Sequence, residues 1–122
     1  MSTATMNLRQ RKAEGSGNMY VIFVSGPYRS NSEITKVTNI QNAEGEALKL
    51  WRQGFAVICP HKNSENFDGL NETSDDMFRQ GYLEILSRCD AIYMLKGWEK
   101  SVGATAELDK AVELKLRIIY EH

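Results

Sequence analysis

The run Tyr20-Val21-Ile22-Phe23-Val24, followed directly by Ser25-Gly26-Pro27-Tyr28-Arg29-Ser30, decides how this chain is read. Five successive apolar residues, mostly β-branched or aromatic, predict a strand buried on both faces, because a strand with one wet face would alternate. The Gly-Pro pair just beyond predicts an abrupt turn at the strand's carboxyl end. Three further runs share that character: Phe55-Ala56-Val57-Ile58-Cys59, Ala91-Ile92-Tyr93-Met94-Leu95 and Arg117-Ile118-Ile119-Tyr120. The segments between them have helical spacing. Ile40, Ala43, Ala47 and Leu50 recur on one face, and Gly54 follows as a stop. Ser74 with Asp75 and Asp76 supplies a cap and an acidic first turn for a second helix running to about Arg88, and a third spans about Val102 to Leu114. The order β-α-β-α-β-α-β predicts a small open doubly wound parallel sheet of α/β class, Rossmann-like or flavodoxin-like. Four to five strands carry helices on both faces, joined by right-handed crossovers in the order 2-1-3-4.

With 122 residues and 13.8 kDa, the chain has the size of one domain. Residues 1–18 are polar, lack apolar periodicity and read as a flexible tail; Met19 is a candidate natural start. Residues 19–122 form the expected α/β domain. Fifteen basic against sixteen acidic residues leave a net charge of -1, and outside the tail the balance is twelve against fifteen. Such a surface does not neutralise a nucleic-acid backbone, so polymeric DNA or RNA is not an expected partner. No apolar run approaches the roughly 20 residues of a membrane span, which predicts a cytoplasmic protein with no membrane partner. Cys59 and Cys89 stand in no metal-ligand pattern and read as reduced, buried thiols. Trp51, Met77, Phe78 and Met94 read as core. Pro60 to Thr73, with His61, reads as a long surface loop.

In this fold class a ligand sits beyond the carboxyl ends of adjacent strands whose crossovers leave on opposite faces, here strands one and three. The loops that follow them are Ser25–Ser30 and Lys96-Gly97-Trp98-Glu99-Lys100-Ser101-Val102-Gly103. Glycines, hydroxyls and cations suit a monophosphate held by backbone amides and one guanidinium. Neither loop spells a dinucleotide fingerprint or a Walker motif, and no cofactor or metal is expected. Taken singly, Gly26-Pro27 reads as an ordinary turn and Ser101 as a helix cap. Glu107 taken singly reads as a solvated carboxylate near a helix start. Its company changes that reading. Helical side chains lean toward the N-terminus, so its carboxylate projects over Gly103, beside the small Ala104 and Ala106, where bulk is missing.

Gly97-Trp98-Glu99-Lys100-Ser101-Val102-Gly103-Ala104-Thr105-Ala106-Glu107 and Ser25-Gly26-Pro27-Tyr28-Arg29 resemble the nucleoside 2-deoxyribosyltransferase superfamily. In layout the chain is most similar to the 2'-deoxynucleoside 5'-monophosphate N-glycosidases and to small phage and bacterial relatives. The resemblance implies hydrolysis of a nucleotide's N-glycosidic bond, with Glu107 as nucleophile in the manner of a retaining glycosidase. It places phosphate and sugar contacts on Ser25, Gly26, Pro27, Tyr28, Arg29, Ser101 and Gly103, and a base pocket on Phe23, His61 and Trp98. It implies a small-molecule nucleotide partner and a homodimer or larger homo-oligomer. Two departures accompany it. Tyr82, assigned to the catalytic set, stands where N-glycosidase relatives carry an aspartate, and a phenol with a pKa of about 10 is no carboxylate at neutral pH. Phe23 stands where the family has a tyrosine. A nucleotide-binding protein without turnover and a deoxyribosyltransferase are the alternative readings.

Overall fold

A computed structural model describes residues 19–28, 32–63 and 75–122. The elements are β1 (Val21–Ser25), α1 (Glu33–Arg52), β2 (Ala56–Ile58), α2 (Pro60–Asn63), α3 (Asp75–Leu86), β3 (Ala91–Met94), a 3₁₀ turn (Trp98–Lys100), α4 (Val102–Glu113) and β4 (Arg117–Tyr120). The strands form one parallel sheet in the order β2-β1-β3-β4. This is the expected open α/β sheet, with each strand within a residue or two of its expected place.

Helix α1 starts where Ser32 accepts a hydrogen bond from the Thr35 amide at 3.3 Å. It ends at Gly54, whose φ of +97° is a left-handed exit that glycine makes without strain. Its buried residues are Ile40, Ala43, Ala47 and Leu50, the anticipated stripe. They pack on Ile22, Val24, Ala91, Leu95 and Ile119, which line one face of the sheet. The opposite face carries Phe23, Ile92 and Met94, covered by Leu86 of α3 and by Ala104 and Ala111 of α4. Fully burying a phenylalanine such as Phe23 stabilises by roughly 1.5–3 kcal/mol.

Two of the four core assignments are corrected. Met94 is buried and Phe78 half-buried, but Trp51 is 50% and Met77 46% exposed. Trp51 directly follows Leu50, so the helical step of about 100° turns it off the narrow buried stripe. The expected loop from Pro60 begins instead as the one-turn helix α2; Ser74 and most of that loop lie outside the described residues. Asp90 bridges farther than a local cap. Its Oδ2 accepts from the Val21 amide at 2.8 Å and its own amide donates to the Val21 carbonyl, which ties the start of β3 to the start of β1.

Register positions the strand ends. Phe23 pairs with Ile58 on one side and Ile92 on the other, whereas Ser25 pairs only with Met94 because β2 has already ended. Helix α1 leaves β1 on one face and α4 leaves β3 on the other, so the crevice between these two strand ends is the topological switch point. No helix of the described residues is long and apolar enough to cross a membrane.

Candidate active site

Alternation along β1 places Ser25 on the same face as Phe23, toward α4. There the Ser25 hydroxyl donates to Glu107 Oε1 at 2.5 Å. Ser25 is 1% exposed, and Glu107 is half-buried on the inward side of α4 between Ala104 and Ala111. Burial pushes the Glu107 carboxyl up to about 7, and the Ser25 hydrogen bond only partly offsets this by favouring the ionised form. At neutral pH the group is poised between its two states. Its Oε2 makes no hydrogen bond among the described residues and is not a sealed atom, so one oxygen is held and the other faces accessible space. A side chain built at Gly103, an exposed position, would meet nothing nearer than Ser101 Oγ at 4.0 Å.

The two crevice loops touch each other. A Cβ at Gly26 would lie 2.6 Å from Leu95 Cβ, and one at Gly97 would lie 3.3 Å from Pro27 Cγ. Gly97 also has φ +89°. Both glycines therefore answer to close backbone approach, in addition to any ligand. Ser101 caps α4, accepting from the Ala104 amide at 3.1 Å, so its hydroxyl already has a partner. Tyr28 presents its ring edge-to-face with His61, centroids 5.7 Å apart, and Lys36 Nζ stands 5.3 Å from the Tyr28 ring centroid. Arg29 lies outside the described residues.

Of the three residues expected at the base pocket, Phe23 and His61 are buried and Trp98 is half-buried. Phe23 is 0% exposed, so it has no surface to offer a base; it meets Tyr82 edge-on at 6.4 Å. Tyr82 is half-buried against the same layer, and its hydroxyl donates to the Pro60 carbonyl at 3.5 Å, a long contact. His61 is 4% exposed and donates from Nε2 to the Pro27 carbonyl at 2.8 Å. Trp98 is half-buried against the layer under α4, tilted on Tyr120 at 6.1 Å. Beside the ligand contact that the resemblance implies for it, Ser25 is the hydrogen-bond partner of Glu107. The signal for its face was present, since counting by two from Phe23 puts Ser25 on the α4 side.

Both cysteines are free, and burial raises both thiols, Cys89 to about 11, so neither is a thiolate nucleophile at neutral pH. Cys89 is buried as expected, whereas Cys59 is only half-buried. An open groove of roughly 400 Å³ between α1 and β2, lined by Leu48, Trp51, Val57 and Cys59 among others, shares no residue with the crevice.

A family model described as a domain of unknown function, DUF4406, matches residues 20–120. The chain belongs to the DUF4406 family. Two solved structures share the fold of this DUF4406 domain. The 2-deoxyribosyltransferase from the psychrotolerant bacterium Bacillus psychrosaccharolyticus has a TM-score of 0.59 at 17% identity, covering 82% of this chain and 70% of that one. The 2-deoxyribosyltransferase from Leishmania mexicana has a TM-score of 0.58 at 16% identity, covering 83% of this chain and 63% of that one. The DUF4406 chain thus spans less than two thirds of the Leishmania protein. No curated protein matches it.

Proposed function

We propose that this DUF4406 protein hydrolyses the N-glycosidic bond of a nucleoside 5'-monophosphate, deoxyribose being the preferred sugar. The observation that carries the reading is the Glu107 carboxyl, held through one oxygen by Ser25 at the switch point of the sheet, with its other oxygen making no hydrogen bond among the described residues. A fold shared with two 2-deoxyribosyltransferases supports it.

In the proposed reaction Glu107 Oε2 forms a bond to the anomeric carbon as the carbon–nitrogen bond breaks. The base leaves with the bonding electron pair and takes a proton from solvent. Water then attacks the anomeric carbon of the glycosyl ester, releases the Glu107 carboxylate and yields the sugar 5-phosphate. The nucleophile must be ionised, so kcat/KM rises with pH through about 7 and levels above it. In this reading the phosphate lies at the loop Ser25–Tyr28 and the first turn of α4, with Arg29 as its guanidinium.

Incubation with a panel of ribo- and deoxynucleoside 5'-monophosphates, with free base resolved by chromatography, tests the proposal. Release of base by the parent and none by Glu107→Gln is expected; no release from any nucleotide refutes it. Two other readings each rest on one observation. The names of both structural relatives favour sugar transfer to a second base, which an added acceptor base would reveal as a new nucleoside. Tyr82, turned onto a main-chain carbonyl where relatives carry an acid, favours a binder without turnover, for which calorimetry would return the nucleotide intact.

A further inference from the structure

His61 is the buried titratable group that the proposed reaction leaves unused. Its ring is sealed between α2 and the loop after β1, and no described atom pairs with Nδ1. Burial holds its pKa below the usual histidine value, opposed in part by the carbonyls of Pro27 and Gly26, so the ring is neutral at pH 7. A neutral ring has one N–H, and the 2.8 Å approach of Nε2 to the Pro27 carbonyl requires that proton on Nε2. Nδ1 is then a buried acceptor without a donor. A side chain kept only for packing would be better apolar, since burying a polar nitrogen unpaired is unfavourable. The polar contribution of this side chain is then the bond that its other nitrogen makes.

That bond acts on the loop. A peptide group is planar and trans, so its carbonyl and the following amide point in opposite directions. Fixing the Pro27 carbonyl toward α2 fixes the Tyr28 N–H away from it, and the edge-on contact of the two rings holds Tyr28 in the same arrangement. Pro27 in turn abuts Gly97, so a rotation of this peptide would also disturb the loop after β3. Resting on the phosphate placement above, we propose that His61 is a positioning residue for anion binding. It acts through the Pro27 carbonyl, setting the shape of loop Ser25–Tyr28 for the phosphate of a nucleoside monophosphate, and touches neither base nor sugar.

The side-chain amide of glutamine can place its nitrogen near the position of histidine Nε2, whereas asparagine is one methylene too short. His61→Gln is therefore expected to keep KM for a nucleoside 5'-monophosphate within about threefold of the parent. His61→Asn and His61→Phe should raise it by about tenfold, the effect of one lost hydrogen bond of about 1.4 kcal/mol. KM for the matching nucleoside without phosphate should move less than about twofold in all three. Equal losses in Gln and Asn, or equal losses with and without phosphate, overturn the proposal. A phosphorus NMR titration with inorganic phosphate reads the same point without turnover. Binding by the parent and by Gln, lost in Asn, supports it even if no nucleotide is cleaved, which would defeat only the hydrolase reading. No phosphate binding by the parent, or equal binding by all variants, overturns it. Thermal melts identify any variant that fails to fold, and the Gln-Asn pair keeps the contrast if Phe does.

Discussion

The two faces of the sheet each hold a glutamate that accepts a hydrogen bond from a hydroxyl on a strand, and the two shift in opposite directions. On the α1 face Glu46 accepts from the Tyr93 hydroxyl at 2.8 Å and from Lys49 Nζ at 2.7 Å. Burial pushes its carboxyl up, but the bonds from Lys49 and Tyr93 and the charges of Lys49 and Lys96 outweigh it and hold the group below its ordinary value. On the α4 face Glu107 has the shorter hydroxyl bond and no cation within reach among the described residues, and burial carries it up to about 7. A hydroxyl therefore does not decide the ionisation of a carboxyl; the presence of a cation against the loss of water does. The lowered carboxylate has Lys49 and Lys96 beside it, whereas the poised one is more deeply buried and has no cation near it among the described residues.

The most severe way to break this contrast is to neutralise each carboxylate in turn. Glu107→Gln is expected to lower the rate of base release at least about 10³-fold, as for loss of a nucleophile, and Glu46→Gln to leave it within about twofold. Stability should answer in the opposite sense. Glu107 has a folded value of about 7 against an ordinary 4.5, so its contribution is fully present below pH 4.5 and lost as pH rises to about 7. Denaturant melts should then find Glu107→Gln more stable than the parent by up to about 3 kcal/mol at pH 8, with the gap closing near pH 4. A gap of equal size at both pH values contradicts a desolvated carboxyl.

Ser25→Ala sharpens the comparison at the level of one hydrogen bond. Removing the donor takes away the one contact that lowers Glu107, so its titration, followed by carbon NMR, moves higher. Base release at pH 7 should fall about tenfold, from loss of roughly 1.4 kcal/mol, and partly recover at higher pH. The smallest effect belongs to the other face. Tyr93→Phe should cost under about 1 kcal/mol and raise the Glu46 titration without altering turnover. Because Glu46 is held low, its contribution is present above its ordinary pKa and disappears as pH falls through the folded value.

How much of this was legible in the sequence follows from which interactions are local. Strand runs and the stripe Ile40, Ala43, Ala47 and Leu50 are periodic patterns, so the sheet, its order and the α1 face could be read directly. Glu107 was legible as a carboxylate singled out by the small residues before it, which lie one turn away on the same helix, whereas its poise comes from burial that the fold creates. The face that Ser25 takes was legible by counting along β1, but its bond to Glu107 was not, since that bond joins residues 82 positions apart. His61 was misplaced for the same reason, its burial depending on a carbonyl 34 positions earlier. Phe23 is a pocket residue only by the resemblance, as the residue standing where the family has a tyrosine. In the sheet it sits two residues inside the end of β1, flanked by Ile58 and Ile92.

The contact of Gly26 with Leu95 has a consequence for the dimensions of the crevice. The nearest atom to a side chain at 26 is Leu95 Cβ itself, so trimming Leu95 to alanine leaves the collision in place. Relief needs a second glycine or a displaced main chain. The width of the opening is consequently a property of the backbone, insensitive to repacking, and selection among ligands of different size falls to the side chains at its mouth.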